Sequence, residues 1–194
     1  MFGRIVAGVL APVVIAASGY GGFAGMKWVV DRIELETSWE PAPQDGGVGN
    51  VVTNYAFQVR LPVPAVAEPL PAIVVNGVPV YGTMWTSEPN AYPFFLLSHI
   101  DYTPVGSVWV GDQAAMQEGL ARMAESSGGT LSGETEFVVG ADPARSGVVD
   151  NNGLRMYITM VTHGSMAVTI AVLTDAIAIP QSYLDAVASL QWLE

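Results

Sequence analysis

The chain has 194 residues, 51% of them apolar, which is enough for one ordinary domain with a packed core beyond a leading apolar segment. Its 18 Asp and Glu against 7 Lys and Arg give a net charge of −11, which repels a polyanion and excludes nucleic acid as a natural partner; it suits solubility or a basic partner. No cysteine is present, so there is no disulfide framework, thiolate metal site, cysteine nucleophile or cysteine-linked lipid.

The run from Ile5 to Met26 carries no charge; Arg4 precedes it and Lys27, Asp31 and Arg32 follow. Roughly 20 apolar residues in a helix cross a bilayer core, and the run is of that length. Residues 1–36 are therefore expected to form a single transmembrane anchor helix and its exit. A cleaved signal peptide fits the same stretch, with Met1–Arg4 as a basic leader and Ala16-Ala17-Ser18 as a small-residue cleavage site. Ala17, Gly21 and Gly25 recur at every fourth position, a stripe on which a second helix can pack closely. Flanking charge does not fix the orientation; the tiny leading tail and the near absence of Lys downstream place the domain outside the cytoplasm, at the plasma membrane.

Residues 37–50 are rich in Pro and Gly and read as a linker, and residues 51–194 as the globular domain. Tyr55, Phe57, Val59 and Leu61 alternate with smaller or polar residues as a half-buried strand does, and Pro62 and Pro64 end it. Asn76-Gly77 is a two-residue hairpin signal between Ile73–Val75 and Val78–Thr86, with Pro79 pointing to a late start or a sheet edge. Phe94–Tyr102 follows as a strand between prolines. The period then changes: Asp112 caps a helix to about Ser126 with Met116, Leu120, Met123 and Ala124 on its apolar stripe, and Gly128-Gly129 stops it. Thr130–Val139, Leu154–Val161 and Met166–Leu173 read as strands, with a short segment at Arg145–Asp150 and turns at Asn151–Gly153 and His163–Ser165. Pro180 opens a last helix with Tyr183, Leu184, Val187 and Leu190 inward. Hairpin-linked strands with a few helices argue an α+β domain, an antiparallel sheet flanked by helices.

Several local motifs accompany this order: Tyr55-Ala-Phe-Gln-Val-Arg-Leu-Pro62, the strand Phe94–Pro104, Gly128-Gly-Thr130 leading to Glu134–Gly140, Asp142-Pro-Ala-Arg-Ser146, and the closing Tyr183–Leu190. Together they resemble the PsbP-like (Mog1/PsbP) domain of small exported actinobacterial proteins, over roughly residues 51–193. The resemblance implies an α/β/α sandwich and a non-catalytic domain that associates with larger machinery. Gly82 inside a strand and the apolar Met156–Val161 segment depart from that pattern.

Candidate chemistry is sparse. His99 shares a strand face with Phe95, Leu97 and Asp101, so His99 and Asp101 form either a dyad or, with no third ligand at motif spacing, a structural pair. His163 reads as a solvated turn residue, and Asp150–Gly153 as a turn lacking the spaced acids of a calcium loop. Glu134 and Glu136 read as a solvated face, and Arg122, Arg145 and Arg155 as internal ion-pair partners. No phosphate loop or nucleophile elbow occurs. The residues thus point to a protein that is not an enzyme and needs no cofactor or metal. The expected function is an accessory or assembly subunit of a membrane protein complex, held in the bilayer by its leading helix, with a respiratory assembly of an actinobacterium as one candidate. Trp85, Tyr92 and Trp109 are candidate partner contacts, although core packing accounts for them equally well. The alternative is a tethered or secreted module for a small ligand or lipid.

Overall fold

A computed structural model describes residues 40–41, 50–75, 78–88, 91–105 and 113–193. The expected anchor, its Ala17, Gly21 and Gly25 stripe, Trp109 and most of the linker lie outside the described residues. Among the described residues no helix is long and apolar enough to cross a membrane, so the expected single-pass helix is not one of the described elements.

The described residues form twelve strands, two α-helices and one 3-10 turn. The strands are β1 (Glu40–Pro41), β2 (Asn50–Thr53), β3 (Phe57–Leu61), β4 (Ala65–Val75), β5 (Val78–Ser87), β6 (Ala91–Tyr92), β7 (Phe94–Asp101), β8 (Thr130–Val139), β9 (Asp142–Asn151), β10 (Leu154–His163), β11 (Met166–Thr174) and β12 (Gln191–Trp192). Thr103–Val105 is the 3-10 turn, and the helices are α1 (Gln113–Ser127) and α2 (Gln181–Ala188). Seven strands make one antiparallel sheet in the order β4-β5-β7-β11-β10-β9-β8. It consists of two meanders, β4-β5-β7 and β8 to β11, joined side by side at β7 and β11. Helix α1 carries the chain from the first meander to the far edge, where β8 begins. A three-stranded sheet, β12-β3-β2, forms a second layer, and β1 pairs with β6 in parallel.

The expected α+β class and α/β/α sandwich are thus corrected: the domain is mainly β and sandwich-like. One face of the large sheet packs on α1, with Leu96, Ile158, Met156, Leu120 and Met123 buried between them. The other face packs on the small sheet and α2, through Phe57, Val59, Phe95, Ile170, Val172 and Tyr183. The layer expected to be helical is largely strand because β3 must match β2 and β12 edge to edge to satisfy its backbone. Coverage of both faces is written into β7, where Phe94 to Ile100 are all buried.

Other differences are local. Arg145–Asp150 belongs to a ten-residue strand, β9. Residues 65–75, with Pro69 and Pro71, form the edge strand β4; an edge tolerates proline because its outward N–H is not needed. Pro79 instead sits in β5, opposite Val74. Met116, Leu120, Met123 and Ala124 are buried as the helical stripe requires, and Pro180 is the N-cap of α2. Leu184, expected to face inward, is exposed.

Candidate functional site: an apolar groove at the sheet edge

The small sheet does not extend over the outer strands, so the face of β8 and β9 that looks toward it is only half covered. Phe137, Val139 and Val148 are partly buried there. On this face β9 presents Ala144, Ser146 and Val148, small side chains that keep the floor low. Helix α2 and the preceding turn form the opposite wall. The result is a half-open groove of about 480 Å3, lined by Phe137 and Val139 of β8, Ser146 and Val148 of β9, Tyr157 and Thr159 of β10, and Ile179, Tyr183, Leu184 and Val187 of the α2 region.

Two tyrosines fix the position of that wall. The Tyr183 hydroxyl meets Thr159 Oγ1 at 2.6 Å. The Tyr157 hydroxyl donates to the Ile177 carbonyl at 2.7 Å, with the Ala176 carbonyl at 3.1 Å, and the two rings lie 6.2 Å apart. Burial pushes the Tyr183 hydroxyl well above the ordinary phenol range, despite the opposing Thr159 contact, so it stays neutral. Arg155 donates from its guanidinium to the same Ile177 carbonyl at 2.8 Å and from Nε to Asp150 at 3.1 Å. The backbone of the turn is therefore held while its side chains point outward: Ile177 is 80% exposed and Ile179 50%. Leu184, 43% exposed, extends the apolar wall on the helix side.

The groove lining contains no His, Asp, Glu, Lys or Arg. It therefore offers apolar contact and a few hydroxyls, and no acid–base pair. Both histidines lie elsewhere on the same side of the sheet. His99 is 3% exposed, its ring 5.6 Å from Tyr55 and 5.4 Å from Phe57, and its Nε2 meets no partner among the described residues. Burial lowers its pKa, and nearby Asp101 only partly offsets this. Asp101 itself accepts from the Thr103 N–H at 2.8 Å and the Tyr55 hydroxyl at 3.2 Å. Burial raises its pKa, but these bonds and the charge of His99 outweigh burial and hold it below the usual value. The His99 and Asp101 pair is thus enclosed by aromatic rings and a turn. His163, expected as a solvated turn residue, has a more specific place: Nδ1 lies 2.7 Å from Asp142 Oδ1, and the ring stacks on Trp192 at 5.0 Å. Among the described residues no group of three or more His, Cys, Asp or Glu is placed to hold a metal.

Of the candidate contact residues, Trp85 is buried against Phe57, their rings 5.7 Å apart, so it is core rather than surface. Tyr92 is half-buried, and its hydroxyl bonds Thr174 and Asp175, tying β6 to the end of β11. Neither borders the groove. The sequence does not single out the groove residues as a site. The available signal was the apolar Ile177-Ala-Ile179 just outside a helix, in a stretch that otherwise reads as a turn. Arg145 and Arg155 are ion-pair partners as expected: Arg145 bridges Glu134 at 3.0 Å and Glu136 at 2.6 Å.

No family model matches the chain, and no curated protein is similar to it. The PsbP-like resemblance rests on the quoted motifs alone.

Proposed function

We propose that this protein is a non-catalytic accessory subunit that docks a partner protein through the groove between β8 and α2. The observation that supports this reading is the apolar wall. Ile179 and Leu184 are exposed on the wall of a preformed concave surface whose lining has no ionisable side chain other than tyrosine. Exposed apolar side chains on the wall of an apolar concavity favour a contact site over a solvated face. The acidic chain favours a partner with basic character.

The test is capture through a carboxy-terminal tag from cells that make the protein, comparing wild type with Leu184→Asp. Leu184 is 43% exposed, so an aspartate there is expected to leave the fold intact, which circular dichroism of the variant checks. A stoichiometric partner held by wild type and lost from the variant supports the reading, and equal recovery by both overturns it. The identity of the partner also shows whether the assembly is a membrane complex, as the sequence reading expects.

The groove volume favours a second reading, a small apolar ligand, because about 480 Å3 lies within the range of small-molecule sites. Native mass spectrometry of protein purified without added lipid distinguishes the two. A discrete bound mass displaced by Leu184→Asp would identify a ligand module, and a bare chain favours the protein-docking reading.

A further inference from the structure

The groove ends at a sheet edge, because β8 pairs with β9 and with no other described strand. Which backbone groups that edge presents follows from the hairpin. Gly140 and Ala141 form a two-residue turn, and Val139 faces Asp142. In such a hairpin the pair closing the turn exchanges hydrogen bonds, and pairs then alternate. Phe137 with Ala144 and Thr135 with Ser146 are then bonded pairs, while Val138 with Pro143 and Glu136 with Arg145 are not. Pro143 fits this phase, since it has no N–H to give. The N–H and C=O of Glu136 and Val138 therefore point outward from the sheet. The register is regular from Thr135 to Val139, beyond a bulge between Ser132 and Thr135. No proline or lysine blunts this length of edge. The side chains of Phe137 and Val139 meanwhile face the groove.

We propose that the occupant of the groove is an extended segment of a partner protein that adds as a strand to the edge of β8. Its backbone bonds Glu136 and Val138. Its alternate side chains, apolar, enter the groove between Phe137 and Leu184, and basic residues flank them. This rests on the docking reading above and names its mode. The charge preference comes from the elements that line the groove. β8 to β10 and α2 carry Glu134, Glu136, Asp142, Asp150 and Asp185 against two guanidiniums; Arg145 and Arg155 bridge Glu134, Glu136 and Asp150, and among the described residues Asp142 and Asp185 meet no guanidinium, so carboxylates remain in excess. The same acidity opposes a second copy of this chain as the occupant, since each copy carries −11.

The experiment is selection of a displayed random-peptide library on the full-length chain, followed by fluorescence anisotropy of an enriched peptide. Enriched sequences are expected to alternate apolar residues within basic flanks. Val138→Pro removes one outward N–H without removing a ladder bond, and is expected to weaken binding about tenfold, the loss of a net hydrogen bond. Methylation of alternate backbone nitrogens of the peptide is expected to do the same from the other side, with no change to the protein's fold. No enrichment, enrichment without alternation, or undiminished binding by both Val138→Pro and the methylated peptide overturns the proposal. So does a concentration-dependent dimer of the chain that Val138→Pro dissociates. If Leu184→Asp loses the captured partner while Val138→Pro keeps it, groove docking stands and strand addition falls. If both keep it, the docking reading falls as well.

Discussion

His99 and Asp101 make stability depend on pH in one direction. The unfolded imidazole takes up a proton near its ordinary value of 6.5, whereas burial holds the folded one below that. The unfolded state therefore binds more protons as pH falls below 6.5, and stability decreases through that interval toward the lower folded value. Asp101, held below 3.8 in the fold, adds a further loss at more acid pH, where its carboxylate protonates. The urea midpoint is expected to fall on acidification from neutral pH, and His99→Leu is expected to flatten the part of that decline just below 6.5. An unchanged slope would remove His99 as its source. Tyr183→Phe tests the wall of the groove. It leaves the Thr159 hydroxyl, 2% exposed, without its 2.6 Å partner, and is expected to cost about 1–3 kcal/mol in denaturant unfolding. A change of a few tenths would mean that the pair contributes little to fixing α2.

Among the elements, β5 leaves no room for a side chain against β7 at Gly82. A Cβ there would lie 2.5 Å from the His99 carbonyl oxygen and 2.9 Å from Leu70 Cδ1. The carbonyl belongs to the adjacent strand and cannot move without opening the ladder. Gly82→Ala is therefore expected to destabilise by about 1–3 kcal/mol or more, as overpacking does. A neutral result by thermal or urea unfolding would show that the two strands separate easily. The same residue interrupts an otherwise strand-like sequence, where a glycine marks close backbone approach. The strands from Phe94 and Met166, and the turn at Asn152-Gly153, were legible because apolar runs and turn residues act locally. Both turn residues have positive φ, 53° and 85°, which suits Asn and Gly. Strand β9 is longer than its sequence suggests, because Pro143, Ala144 and Gly147 give it weak intrinsic strand character. It is strand because β8 and β10 pair with it on either side.

For the molecule as a whole, the excess of carboxylates is the property that most affects association. If a basic-flanked strand occupies the edge, its affinity falls as salt rises from low to physiological concentration and then levels off, because screening removes the charge contribution and leaves the apolar one. Titration of an enriched peptide at several salt concentrations checks this. Affinity independent of salt would mean that the basic flanks play no part.

What the sequence by itself determined is local or summed over the chain: the net charge, the strands with strong apolar patterning, the buried stripe of α1, the glycine and proline punctuation, and the absence of a motif with catalytic spacing. Tertiary structure decided which layer covers which face. It made the domain mainly β where α+β was expected, placed Trp85 in the core, and turned Leu184 outward. It also decided that the small sheet stops short of β8, which leaves the groove between β8 and α2 open. An apolar side chain reads the same in sequence whether a neighbouring element covers it or not. Coverage depends on contacts between residues far apart in the chain, such as Tyr183 with Thr159 and Tyr157 with Ile177, which no local pattern encodes.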